Sequence, residues 1–191
     1  FRLLQEIYSQ NEESRPIAQI ADKLHPWAAL VFVGSSFPKE YSSETGADML
    51  LTNAAADINK PRGSLESLDD VTAIFKAQPE ETMLNFLKAS IKTNKEETED
   101  IKKLHQAYSD GRFEELIPLL EETEQRTLKL VDTKYAKAMS DWLKNDLLIR
   151  RNLAWLPEIR KQSAKQSTLF AVGIAHLPSE KGLIELLRQE G

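Results

Sequence analysis

The chain has 191 residues, of which 41% are hydrophobic and 29% are charged. This composition is typical of a globular protein with a core of its own and excludes an intrinsically disordered chain. Acidic residues outnumber basic ones by 30 to 25, which argues against a nucleic-acid-binding protein, because such proteins carry a basic excess. The cysteine count is 0, so disulfides, thiolate zinc sites and cysteine nucleophiles are excluded. No apolar run approaches the roughly 20 residues that a membrane-spanning helix needs.

Helical periodicity dominates the first part of the chain. Apolar residues at i, i+3 and i+4 predict two helices within residues 1–24, separated at Pro16. The segment 25–37 (HPWAALVFVGSSF) is compatible with a buried strand or a buried helix, and we interpret it as a helix, in part because of a resemblance given below. A polar loop at 38–46 and a short Ala-rich helix at 47–57 are expected to follow.

The middle of the chain is predicted to be helical with short interruptions. Residues 62–67 (RGSLES) form a short extended piece, after which Ser67 caps a helix. Another helix begins at Pro79, and the charged run 92–103 is a solvated helix face or a loop. A long helical pattern covers 123–161, although Pro157 should kink or break it.

The end of the chain has a different pattern. The continuous apolar run 167–177 (STLFAVGIAHL) predicts a buried strand, followed by a turn and an amphipathic helix that ends at Gly191. We therefore predict an α/β fold, a mostly helical single domain over residues 1–191 around a small central β-sheet. Because the chain begins with Phe1 inside a predicted helix, we expect it to be a trimmed piece of a longer protein.

Three side chains are candidates for chemistry. His176 follows Gly173 where the predicted strand leaves the sheet, so it could bind a metal or act as an acid or base. Glu66 ends the extended piece and could be a metal ligand or a general base. Arg151, in the Arg151-Asn152 pair, could clamp a substrate carboxylate or pair with Glu66. Structural roles are the alternative for each: a core histidine, a capping carboxylate and a surface ion pair.

The sequence resembles the TraB/GumN/TIKI family. The resemblance rests on a C-terminal signature and on an upstream segment, and it covers about residues 24–191. The signature residues in this chain are Arg151, Asn152, Trp155, Gly173, His176, Leu177, Gly182, Leu183 and Gly191. The upstream matches are Gly46, Asp48, Ala55, Lys60, Pro61, Leu65 and Glu66, with Ser67 in place of the usual Thr.

The resemblance implies a metal-dependent hydrolase, most naturally a metallopeptidase with a peptide or protein substrate. It assigns His176 and Glu66 to a divalent metal ion, Glu66 and Arg151 to catalysis, and Gly173, Asn152, Gly46 and Asp48 to the motif framework. The family's first Gly-x-x-His motif has no counterpart here, as a trimmed start would explain. The resemblance implies a location in the cell envelope or secretion, with membrane association only through segments that are absent here. The alternative is a non-catalytic protein of the same architecture that binds a small ligand or haem or inhibits signalling.

Overall fold

A computed structural model describes residues 2–9, 12, 14–35, 41 and 46–189 of the chain. Within these residues the secondary structure consists of helices, turns and extended segments, with no β-strand. The prediction of an α/β fold around a small central sheet is therefore wrong, and the fold is all-α. No helix in the described ranges has the length and apolar character that crossing a membrane requires.

Ten α-helices are present in the described residues, and short 3-10 or π-helical segments lie between some of them. The α-helices are α1 (Arg2–Ser9), α2 (Arg15–Ala18), α3 (Pro26–Gly34), α4 (Ala47–Asp57), α5 (Leu68–Lys76), α6 (Glu80–Ser109), α7 (Leu116–Leu128), α8 (Thr133–Asp141), α9 (Arg150–Lys165) and α10 (Leu183–Arg188). The 3-10 segments are Ala21–Lys23, Phe113–Glu115 and Ile174–His176, and Trp142–Ile149 is a π-helix.

The chain divides into two compact units. The first contains residues 1–43 and 78–139, and the second contains residues 44–77 and 140–191. This division does not test the prediction that residues 1–191 form a single domain, which stays a prediction.

In the first unit, helix α6 packs against α3 and α7. The buried face of α6 includes Met83, Phe86 and Leu87, at the i, i+3 and i+4 spacing of one helix face. Further along α6, buried Asp100 accepts hydrogen bonds from Thr123 at 2.9 Å and from Arg126 at 2.6 Å, both on α7. Desolvation raises the pKa of Asp100, but these hydrogen bonds and the Arg126 charge hold it below its ordinary value.

The second unit has its core at the junction of α9 and α10. Five buried residues form it, and three half-buried ones from non-helical segments pack against them. The buried residues are Trp155, Leu156, Ile159, Leu183 and Leu186, and the others are Leu65, Phe170 and Val172. Helix α5 begins with a capping box, in which Ser67 and Asp70 exchange hydrogen bonds.

The predicted buried strand at 167–177 has no regular secondary structure as far as Gly173, after which Ile174–His176 forms a 3-10 turn. Phe170 and Val172 pack on the core of the second unit, whereas Leu169 is 76% exposed. A strand needs a neighbouring chain segment for its backbone hydrogen bonds, and no described segment pairs with this one. The apolar run therefore supplies one inward face without forming a sheet.

The helix predictions are largely confirmed. Segment 25–37 is helical over α3, the Ala-rich segment is α4, and the charged run at 92–103 lies within α6. Most of the predicted loop at 38–46 lies outside the described residues. The predicted long helix at 123–161 is interrupted between α7 and α8, and Pro157 is accommodated inside α9.

Candidate functional site

Helix α9 presents three side chains to one place in the second unit. Arg151 and Trp155 are four residues apart and Asn152 and Trp155 are three apart, so they share a helix face. The helix follows directly on the π-helix Trp142–Ile149. The carbonyl of Leu147 in that segment accepts a hydrogen bond from Nη1 of Arg151 at 3.0 Å, which orients the guanidinium at the start of α9.

Glu66 reaches this helix face from the non-helical segment that precedes α5, where the chain bends at residues 65–66. Its Oε2 accepts from Nε of Arg151 at 3.0 Å, and its Oε1 accepts from Nη2 at 2.5 Å. This is the bidentate pairing that the planar guanidinium favours. Each side chain is about one-fifth exposed, at 21%. Desolvation raises the pKa of Glu66, but the hydrogen bonds and charge of Arg151 bring it below its ordinary value, so the carboxylate is ionised at neutral pH.

His176 joins the same cluster from the 3-10 turn after Gly173. Its side chain is buried, with the residue 7% exposed. Nδ1 lies 2.7 Å from Oδ1 of Asn152, and Nε2 lies 3.4 Å from Nη1 of Arg151. Burial and the positive charge of Arg151 lower the pKa of His176 to about 4, although Glu66 opposes the shift. The imidazole is therefore neutral at physiological pH.

Trp155 touches all three predicted site residues, and sequence reasoning gave it no role beyond the family signature. Its Nε1 donates to Oε2 of Glu66 at 3.2 Å. The centroid of its ring lies 4.6 Å from the centroid of the His176 ring. The guanidinium carbon of Arg151 lies 5.0 Å from the Trp155 ring centroid. The signal in the sequence was its i+4 spacing from Arg151, but only the fold brings Glu66 and His176 to it.

The remaining motif residues have framework positions. The Gly173 carbonyl accepts from the His176 amide at 2.9 Å, which closes the 3-10 turn. Gly46 precedes α4 and Asp48 lies in the first turn of that helix. No contact found in the described residues links Gly46 or Asp48 to the Glu66–Arg151–His176 cluster. The other two histidines, His25 and His105, are both exposed.

The donor atoms of the cluster fit a metal ion only in part. His176 has a nitrogen lone pair, because a neutral imidazole carries one. Both oxygens of Glu66 already accept hydrogen bonds from Arg151, so Glu66 does not fit as a ligand in this arrangement. In the described part of the chain, no group of three or more His, Asp or Glu side chains could hold a metal. Catalytic zinc sites generally use three protein ligands, so a metal at His176 needs further donors.

Comparison with known proteins identifies a family. No curated protein and no solved structure matches the chain significantly. The sequence does match the TraB/PrgY/gumN family, and the match extends over residues 1–191. Since it covers the whole of the sequence, this chain belongs to the TraB/PrgY/gumN family.

Proposed function

We propose that this chain acts in a metal-dependent hydrolase that cleaves peptide bonds. The observation that carries the proposal is the convergence of Glu66, Arg151 and His176 in one hydrogen-bonded cluster. Glu66 is separated from Arg151 by 85 positions, and Arg151 from His176 by 25. The chain's membership of the TraB/PrgY/gumN family and the resemblance of its signature to hydrolases add support.

His176 would supply one ligand to the metal through Nε2, once Nη1 of Arg151, which lies 3.4 Å from it, moves aside. A neutral imidazole is the form that binds metals, and its low pKa keeps His176 neutral. When bound, a divalent metal would polarise a water molecule and the scissile carbonyl.

Arg151 would stabilise negative charge that develops on the substrate, because a fixed guanidinium in a partly buried site interacts strongly with an oxyanion. Glu66 would act as a positioning residue: it holds Arg151 through two hydrogen bonds. This role differs from the ligand or base role that the sequence suggested for Glu66, because its oxygens are already engaged.

The test combines metal analysis with a peptidase assay. The purified protein is treated with a chelator, then incubated with Zn²⁺, Mn²⁺ or Co²⁺, and the bound metal is measured by elemental mass spectrometry. Cleavage of a mixed peptide library is followed in parallel. His176→Ala is compared with His25→Ala, which removes an exposed histidine, and circular dichroism verifies that both variants are folded.

We expect stoichiometric metal and peptide cleavage in the wild type and in His25→Ala, and loss of both in folded His176→Ala. If His176→Ala does not fold, His176→Gln takes its place. Cleavage that survives both the chelator and the His176 substitution would overturn the proposal. A wild-type protein that binds none of the three metals would overturn it as well.

A further inference from the structure

Asn152 is among the most deeply buried polar residues described, with 2% exposure. Its Nδ2 donates to the carbonyl of Lys181 at 2.8 Å and to the carbonyl of His176 at 3.3 Å. The amide orientation is therefore determined, because the flipped amide would place Oδ1 against two carbonyl oxygens. The oxygen of Asn152 must face Nδ1 of His176, at 2.7 Å.

The two ring nitrogens of His176 contact different kinds of group: Nδ1 faces a hydrogen-bond acceptor and Nε2 faces a donor. Oδ1 of Asn152 accepts only, so Nδ1 must carry the proton. At the other end, Nη1 of Arg151 donates only and lies 3.4 Å from Nε2. One neutral tautomer satisfies both contacts: the one with the proton on Nδ1 and the lone pair on Nε2.

The Lys181 carbonyl, which accepts a hydrogen bond from Asn152, belongs to a tight turn. A Cβ atom on Gly182 would lie 1.9 Å from the Pro178 carbonyl oxygen, so the chain closes on itself there. Ser179 adopts a positive φ of 82° in the same turn, and the amide of Gly182 donates to its carbonyl at 3.0 Å. The turn therefore presents the Lys181 carbonyl to Asn152 in a fixed position.

We propose that Asn152 is a positioning residue that fixes His176 in the Nδ1–H tautomer and so leaves the lone pair on Nε2, where a metal could bind only after Nη1 of Arg151 moves away. The assignment of Nε2 to metal binding rests on the proposed function, whereas the tautomer itself does not. Metal-binding histidines commonly have their second nitrogen fixed by such a partner, and loss of that partner typically weakens metal binding by about 10- to 100-fold.

The experiment is a long-range ¹H–¹⁵N correlation spectrum of the imidazole nitrogens in metal-free, ¹⁵N-labelled protein near neutral pH. In the wild type we expect protonated Nδ1 and unprotonated Nε2 for His176. Asn152→Ala and Asn152→Leu both remove the acceptor for the Nδ1 proton and should mix the tautomers. Asn145→Ala, which alters an exposed residue of the preceding π-helix, should leave the spectrum unchanged.

A wild-type spectrum with the proton on Nε2 would overturn the proposal, as would an unchanged tautomer in Asn152→Ala. If Asn152→Ala does not fold, Asn152→Leu, which branches at Cγ as asparagine does, decides, because an unchanged tautomer in that variant contradicts the proposal. Metal titration of the same samples should give about 10- to 100-fold weaker binding in Asn152→Ala than in wild type. Absence of metal binding in every sample would refute the proposed function and leave the tautomer result standing.

Discussion

The neutral state of His176 makes the stability of the protein depend on pH. The ordinary pKa of the imidazole is 6.5, and burial together with the Arg151 charge lowers the pKa to about 4 in the folded protein. Between these values the unfolded chain binds more protons than the folded one, so stability falls as the pH falls through this window. The difference in pKa corresponds to about 3 kcal/mol, of which about 2 kcal/mol is lost between pH 7.5 and pH 5.

Urea unfolding at the two pH values measures this effect. Wild type is compared with His176→Gln, which cannot titrate in this range, and with His25→Gln, which removes an exposed histidine. We expect the free energy lost on acidification to be about 2 kcal/mol smaller in His176→Gln than in the other two proteins. Comparing losses within each protein removes the cost of the substitution itself. Equal losses in all three proteins would refute the assignment of a buried, neutral His176.

Three further outcomes are expected. A double-mutant cycle with Glu66→Gln and Arg151→Met should give a coupling energy of about 1–2 kcal/mol in urea unfolding, because the pair is bidentate and partly buried; additive effects would contradict this. Gly182→Ala should lower the melting temperature far more than Gly63→Ala, because a Cβ meets the Pro178 carbonyl only at Gly182; similar melting temperatures would show that the turn relaxes. Asp100→Asn should destabilise the protein by about 2 kcal/mol at neutral pH, because it removes the carboxylate that accepts hydrogen bonds from Thr123 and Arg126. The cost should be smaller in acid, because protonation of Asp100, whose pKa is lowered in the folded protein, removes the same charge from the wild type. A pH-independent cost would argue against the ion pair.

The helices could be predicted because their signals are local. A few neighbouring residues determine each of them: Ser67 and Asp70 cap α5, and Gly111, whose φ is 74°, ends α6. The sheet prediction failed because pairing is not local. An apolar segment such as 167–173 has the composition of a strand, but only a second segment at the right place makes it one, and the described residues contain none.

The site could be predicted in part. Glu66 and His176 were chosen from their positions at the ends of predicted extended segments, and Arg151 from the Arg151-Asn152 pair on a predicted helix, and the three side chains do meet. The sequence could not show that Arg151 lies between the other two, because that depends on how α9 and the 3-10 turn pack. Asn152 had no predicted role beyond its motif for the same reason. Its proposed positioning role depends on a hydrogen bond to the Lys181 carbonyl, and the sequence does not show that this carbonyl lies beside Asn152.

The charges within the cluster decide which of its members can bind a cation. Glu66 and Arg151 neutralise each other, and His176 is uncharged near neutral pH, so the cluster carries no net charge. A cation at Nε2 would place a second positive charge beside Arg151, which opposes its binding unless the carboxylate of Glu66 offsets it. Glu66 would therefore affect the binding of a proposed metal at His176 by its charge, even though it donates no electron pair, and Glu66→Gln should weaken that binding without removing a ligand. A metal that binds with undiminished affinity to Glu66→Gln would place the cation away from this cluster.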